Sequence, residues 1–160
     1  MDPPGPGIKS YTYKPDGQRE TFTNENNATW TYGFDDLGRV ETVTDPVNET
    51  TTYGYDAASR LAWVQQPQPG ATCVGPTRVG CISYDYDEAG RLKGVDYSDP
   101  ETTDITDVTY DALGRRIEAT LGTATEEWSW DPASRLTGHV DVNGRTTSYG
   151  WDDTANLTSI

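Results

Sequence analysis

The chain has little apolar mass. Only 33% of its 160 residues are hydrophobic, with two Phe and one Met, and mean hydropathy is −0.76. No apolar run is long enough for a transmembrane helix or a signal-peptide core, so membrane insertion is not expected. One His and two Cys leave a metal site of the zinc type short of ligands, and no cofactor is implied. Positive charge is scarce as well. Twelve Lys and Arg face 26 Asp and Glu, giving a net charge of −14. That sign excludes nucleic acid and anionic membranes as natural partners. Cations, basic proteins and neutral glycans stay open. Nucleophile elbows, phosphate loops and dinucleotide fingerprints are missing, and no carboxylate pair stands out among the acids. No catalytic residue is expected, and the chain reads as non-enzymatic.

Low hydrophobicity with high net charge would suit disorder. The aromatics argue otherwise. Ten Tyr, five Trp and many Thr favour strands, while 16 Gly and 10 Pro supply turns. The composition is that of an all-β protein.

The aromatics recur in register. One column holds Tyr13, Phe34, Tyr55, Tyr86, Tyr110, Trp130 and Trp151; two residues earlier stand Tyr11, Tyr32, Tyr53, Tyr84, Val108, Trp128 and Tyr149. These columns take 13 of the 17 aromatic residues. Next come Lys14, Asp35, Asp56, Asp87, Asp111, Asp131 and Asp152. Three further on the residue is Gly17, Gly38, Ser59, Gly90, Gly114, Ser134 or Ala155. Then follow Gln18, Arg39, Arg60, Arg91, Arg115, Arg135 and Asn156. Successive copies lie 21, 21, 31, 24, 20 and 21 residues apart, a spacing that signals a repeat architecture. Residues 1–10 read as an N-terminal tail, and residues 11–160 as seven β-hairpin repeats with a Cys-bearing loop insertion at about 66–81. Met1 before "DPPGPG" reads as a start placed ahead of an excised fragment.

Each column has a physical reason. Two rings separated by one residue share a face of a strand. Asp35, Asp56, Asp87, Asp111, Asp131 and Asp152 suit the first position of a type I turn, where the carboxylate accepts backbone N–H groups. Gly three later takes positive φ and closes the hairpin with a bulge. Ser59, Ser134 and Ala155 are strained there or use another turn. Arg opens the return strand beside the Asp. The aliphatic residues beyond it sit three apart, which predicts a second irregularity. "VNGR" at 142–145 and "TDPVNE" at 44–49 mark return turns.

Cys73 and Cys81 lie eight residues apart inside the insertion. A disulfide closing a small loop, which implies an oxidising compartment, and two unpaired thiols both fit. "DYDEAG" at 85–90 has a faint likeness to a calcium loop but lacks the terminal Glu. His139 takes an aliphatic position and reads as wall, not base. Asn27, Asn48 and Asn156 lie in N-x-Thr sequons, which would be incidental were the chain bacterial. Trp30 and Trp63, outside the two columns, are the candidates for an exposed glycan contact.

"YDYDEAGRL", "YDALGRRIEA" and "YGYDAASRL" resemble the repeat unit of the RHS/YD-repeat family: bacterial RHS polymorphic toxins, cocoon-forming subunits of insecticidal Tc toxins, and teneurin-like shells. The resemblance covers residues 11–160. It implies tandem hairpins wound into a curved antiparallel sheet, part of a shell or open barrel-like ribbon. It also implies a structural role in a secreted or cell-surface protein, enclosing or displaying a toxin or other cargo. The expected partners are further repeats or other copies joined by β-edge pairing, and an encapsulated toxin domain. The alternative expectation is a carbohydrate-binding β-repeat module. Departures matter: family shells use more repeats, and the family's self-cleaving C-terminal core is not recognisable. The chain therefore reads as a piece of shell wall.

Overall fold

The computed structural model describes residues 7–73 and 78–160. The tail residues 1–6 and positions 74–77 of the insertion lie outside the described residues. No described residue is helical. Fifteen strands are present: β1 (Ser10–Tyr13), β2 (Arg19–Thr23), β3 (Thr29–Phe34), β4 (Val40–Thr44), β5 (Thr50–Tyr55), β6 (Leu61–Gln65), β7 (Cys81–Tyr86), β8 (Leu92–Tyr97), β9 (Ile105–Tyr110), β10 (Arg116–Leu121), β11 (Ala124–Trp130), β12 (Leu136–Val140), β13 (Thr146–Ser148), β14 (Gly150–Trp151) and β15 (Leu157–Ser159). From β1 to β13, hydrogen-bonded neighbours are also neighbours in sequence, while β14 and β15 form their own pair. Neighbouring strands pair antiparallel, as hairpins require. Fifteen rather than fourteen strands result because the last aromatic strand breaks at Tyr149, whose N–H turns to the Thr137 carbonyl (2.9 Å).

The chain divides into two compact units, residues 1–83 and 84–160. In the first, alternation places Tyr11, Phe22, Trp30, Tyr32, Val43, Tyr53 and Val64 on one face, through the pairs Tyr11–Phe22, Phe22–Trp30, Tyr32–Val43 and Tyr53–Val64. The other face is paved with threonine. Thr12, Thr21, Thr31, Thr44 and Thr50 form one cross-strand rank, flanked by Thr23–Thr29 and Thr42–Thr52. Hydroxyls there pair at 2.7 Å (Thr12–Thr21), 2.8 Å (Thr23–Thr29) and 2.9 Å (Thr44–Thr50). A β-branched residue with a hydroxyl fits such a surface, which needs strand propensity and contact with water together.

In the second unit Val95, Val108 and Ala119 are buried, and Val108 opposes Ala119 directly. Val108 is the one aliphatic residue in its aromatic column. Small groups meet there and close a local core. Elsewhere side chains are half-buried or exposed, as expected where a sheet has no second layer over it.

The return strands β2, β4, β6, β10, β12 and β15 carry a bulge near their start. Between β3 and β4 the register passes from Gly33–Thr42 to Phe34–Val40, leaving Glu41 unpaired. The same shift recurs at Tyr55–Leu61 and Trp130–Leu136. It absorbs the odd spacing of the aliphatic columns.

Candidate functional site

The hairpin turns share one construction. At 35–39, the Gly38 N–H donates to the Asp35 carbonyl and the Asp35 N–H to the Arg39 carbonyl, both at 2.9 Å. Asp35 Oδ1 accepts from the backbone of Leu37 (3.0 Å) and Arg39 (2.9 Å). Its other oxygen receives Arg39 Nε at 2.7 Å and Nη2 at 2.6 Å. Asp56, Asp87, Asp111 and Asp131 hold Arg60, Arg91, Arg115 and Arg135 in the same manner, with Nε at 2.6–2.7 Å. Asp152 holds Asn156 instead, through Nδ2 at 3.0 Å. Every one of these six carboxyls sits below its ordinary range. The arginine side chain dominates at Asp35 and Asp111, and the arginine backbone N–H at Asp56, Asp87 and Asp131. The Asn156 amide holds Asp152 down to about 2.

Ser59, Ser134 and Ala155 occupy the left-handed position at φ 63°, 63° and 64°, so the turn is the same and a non-glycine residue tolerates it. The two serines find a use there. Ser59 Oγ accepts from Arg39 Nη1 (3.1 Å) and Ser134 Oγ from Arg115 Nη1 (3.3 Å). Three return turns, at 24–28, 45–49 and 141–145, repeat the pattern with Asn27, Asn48 and Gly144 at positive φ. The "VNGR" signal is therefore not a two-residue Asn-Gly turn. Gly144 closes a four-residue turn begun by Asp141.

The arginines also reach forward, which the columns by themselves do not state. Arg39 lies over the Tyr55 ring (4.3 Å to the centroid), Arg91 over Tyr110 (4.4 Å), Arg115 over Trp130 (5.7 Å) and Arg135 over Trp151 (5.8 Å). Lys14 substitutes over Phe34 at 5.5 Å, in the repeat whose Arg position holds Gln18. Each of these polar rings then reaches back across the pair. Tyr55 and Tyr110 hydroxyls donate to the carbonyls of Val40 (2.8 Å) and Leu92 (2.7 Å), and the Trp130 and Trp151 indole N–H groups to Arg116 (2.8 Å) and Leu136 (2.7 Å). At these four junctions one repeat grips the next twice, by a cation on a ring and by a ring donor on a carbonyl; Lys14 and Phe34 make the first contact alone. The signal was in the alignment: the Arg column always precedes the next aromatic column, and Lys appears where Arg is missing.

Tyr86 sits in β7 at the same position, half-buried. Tyr13 sits in β1 and is 61% exposed. Trp30 belongs to the aromatic face after all, two residues before Tyr32. It stacks on Phe22 at 5.5 Å, which stacks on Tyr11 at 5.1 Å. Rings stacked across strands turn their faces to each other and their edges outward. Trp63 stands on the opposite face, where its indole lies against Gly54, a packing that leaves no room for a Cβ there. Each tryptophan thus has one face covered.

Cys73 and Cys81 are joined, with sulfurs 2.06 Å apart and Cα atoms 5.3 Å apart. Cys81 is 2% exposed, and Thr72 and Val79 bridge beside the link. His139 stacks on Trp128 at 5.3 Å, with Arg116 on the same ring at 3.7 Å and Glu126 Oε2 3.9 Å from Nε2. Asp87, in the 85–90 stretch, is committed to Arg91 and the turn N–H groups. Among the described residues no cluster of three His, Cys, Asp or Glu side chains could hold a metal ion.

Residues 36–67 and 130–160 match the family model for the RHS repeat. No curated protein matches the chain. Solved structures do. A mutant Photorhabdus luminescens Tc holotoxin pore superposes with a TM-score of 0.71 at 16% identity, covering 94% of this chain and 9% of that one. The TcdB2–TccC3–TEV structure gives 0.72 at 17%, with the same coverage. TcdB2–TccC3–Cdc42 gives 0.71 at 16%, covering 93% and 9%. At such identities the likeness is one of fold, and the chain spans about a tenth of those chains' length.

Proposed function

These are RHS/YD repeats, and from that premise we propose that the chain is a non-enzymatic wall segment of a longer secreted or cell-surface protein, which encloses or displays a cargo such as a toxin domain. The observation that carries this reading is the double grip between successive repeats. It commits Arg39, Arg91, Arg115 and Arg135, the carboxylates that hold them and the Tyr55, Tyr110, Trp130 and Trp151 rings to joining neighbours, and among the described residues no acidic, Cys and His side chains cluster as a metal site would need. The mechanism is mechanical. Repeats extend the sheet by adding hairpins, and sequence order fixes spatial order.

The glycan-binding alternative asks for open ring faces. Trp30 gives one face to Phe22 and Trp63 lies on Gly54.

A chain cut to residues 1–122 tests the wall reading. It loses the partner of β10 and leaves Arg115 and the Arg116 carbonyl at the edge. Light scattering after size-exclusion chromatography is expected to show association that grows with concentration. A truncated chain that stays soluble, folded and monomeric at high concentration would sink the proposal.

A further inference from the structure

The connection between β6 and β7 departs from the repeat. Residues 66–80 intervene, three times as many as in the five-residue turns at 24–28, 45–49 and 141–145. A longer connection closes less readily. A covalent tie stands in for the missing turn. Cys81 opens β7 opposite Gln65 and is bonded to Cys73, whose sulfur lies 3.6 Å from the Val64 carbonyl oxygen of β6. The two sulfurs differ in access, Cys81 being 2% exposed and Cys73 half-buried. The Ser83 hydroxyl sits 3.6 Å from Cys81 Sγ and accepts from Arg78 Nη1 at 2.7 Å, which leaves its own proton for the sulfur. Residues 57–84 contain no Asp or Glu, in a chain that has 26.

We propose that this link is a thiol-operated lock on the β6–β7 pairing, with Arg78 and Ser83 placed to speed its opening. A small thiol of the glutathione class attacks, as its thiolate, at the more accessible Cys73 Sγ. A mixed disulfide forms there, the Cys73–Cys81 bond breaks, and the electron pair leaves on Cys81 Sγ. The Ser83 hydroxyl, polarised by Arg78, donates to that sulfur and stabilises the departing charge. A second thiol then attacks the small-thiol sulfur of the mixed disulfide and frees Cys73. Two small thiols become one disulfide, and their two electrons and two protons end on Cys73 and Cys81. The stretch without acids admits an anionic reductant that the rest of the chain repels. Once cut, β7 has lost its covalent tie to the insertion, whereas the junctions closed by five-residue turns contain no sulfur to cut. The proposal goes beyond the wall reading, which stands if the lock fails.

Native-state hydrogen exchange compares the full chain oxidised and after dithiothreitol, with freed thiols counted by maleimide labelling and the fold followed by circular dichroism. Backbone amides of residues 63–65 and 81–83 are expected to exchange roughly tenfold to a hundredfold faster once the link is cut, and those of 42–44 and 50–52 to change less than about twofold. Equal exchange in both states overturns the lock. So do acceleration spread evenly over the strands, loss of the β signal on reduction, and a link that dithiothreitol leaves intact in the folded chain. The rate of thiol release with glutathione tests the relay. It is expected to fall roughly threefold to thirtyfold in Ser83→Ala. An unchanged rate overturns the part given to Ser83 and Arg78. Should Ser83→Ala fail to fold, Arg78→Gln reads the same step: it is expected to slow release and Arg78→Lys to restore it, and equal rates in the two overturn the relay.

Discussion

Asp35, Asp87, Asp111 and Asp131 each do three jobs. Each accepts two turn N–H groups, pairs with an arginine and, by fixing that arginine, aims it at a ring in the next repeat. Because these carboxyls are depressed in the folded chain, the stability they add is fully present above the ordinary carboxylate pKa of about 4 and is lost as pH falls through the folded values. Acidification also relieves the repulsion of a −14 chain, which works in the opposite direction. Six capped turns at direct hydrogen-bond distance outweigh a diffuse, screened field. The melting temperature is expected to hold steady from neutral pH to about 5 and to drop below about 4. Asp111→Asn keeps the turn acceptor and loses the ion pair. It should melt lower at pH 7 and show a shallower acid decline; an unchanged profile would remove the Asp–Arg pair from the account. Asp as turn cap was legible in the sequence, since turn preferences act over four residues. The forward reach of Arg39 to Tyr55 was hinted at only by the order of the columns, because turn preferences say nothing of contacts sixteen residues ahead.

At the scale of the hairpin, the glycine between two tyrosines is a packing device. Gly54 lies under the Trp63 indole, so a methyl group there must displace the ring or the strand. Gly54→Ala is expected to cost about 1–3 kcal/mol. Gly54→Ala with Trp63→Ala should lose less than the sum of the single changes, and additive thermal melts would show that the two do not touch. Gly33 plays the same part against Thr42. Period-two reasoning placed the rings of β3 and β5 on one face and led to the expected bulge. It should also have set Trp30 in that row and Trp63 opposite. Aligning on the motif alone hid both, because the tryptophans stand outside the repeated columns. The disulfide was open in the sequence, since two cysteines eight apart fit a link or a pair of thiols. Tertiary placement, with Cys81 opening β7 beside β6, settles which.

At the scale of the whole molecule, sequence order and spatial order coincide from β1 to β13, and that has a consequence under load. Tension on the two chain ends acts along the inter-strand hydrogen bonds, so they break one pair at a time and not together in shear. Hairpins should peel off singly at low force, each releasing about 21 residues, or roughly 70 Å of extended chain. The Cys73–Cys81 link is the exception. It spans eight residues with Cα atoms 5.3 Å apart, so that stretch cannot lengthen. In optical-trap extension, adding reductant is expected to lengthen the fully unravelled chain by roughly 20–25 Å; an identical length with and without reductant would mean that no link had been holding. The array is thus a seam. It comes undone pair by pair from an end, and carries one covalent stitch, from the insertion at Cys73 to the start of β7 at Cys81.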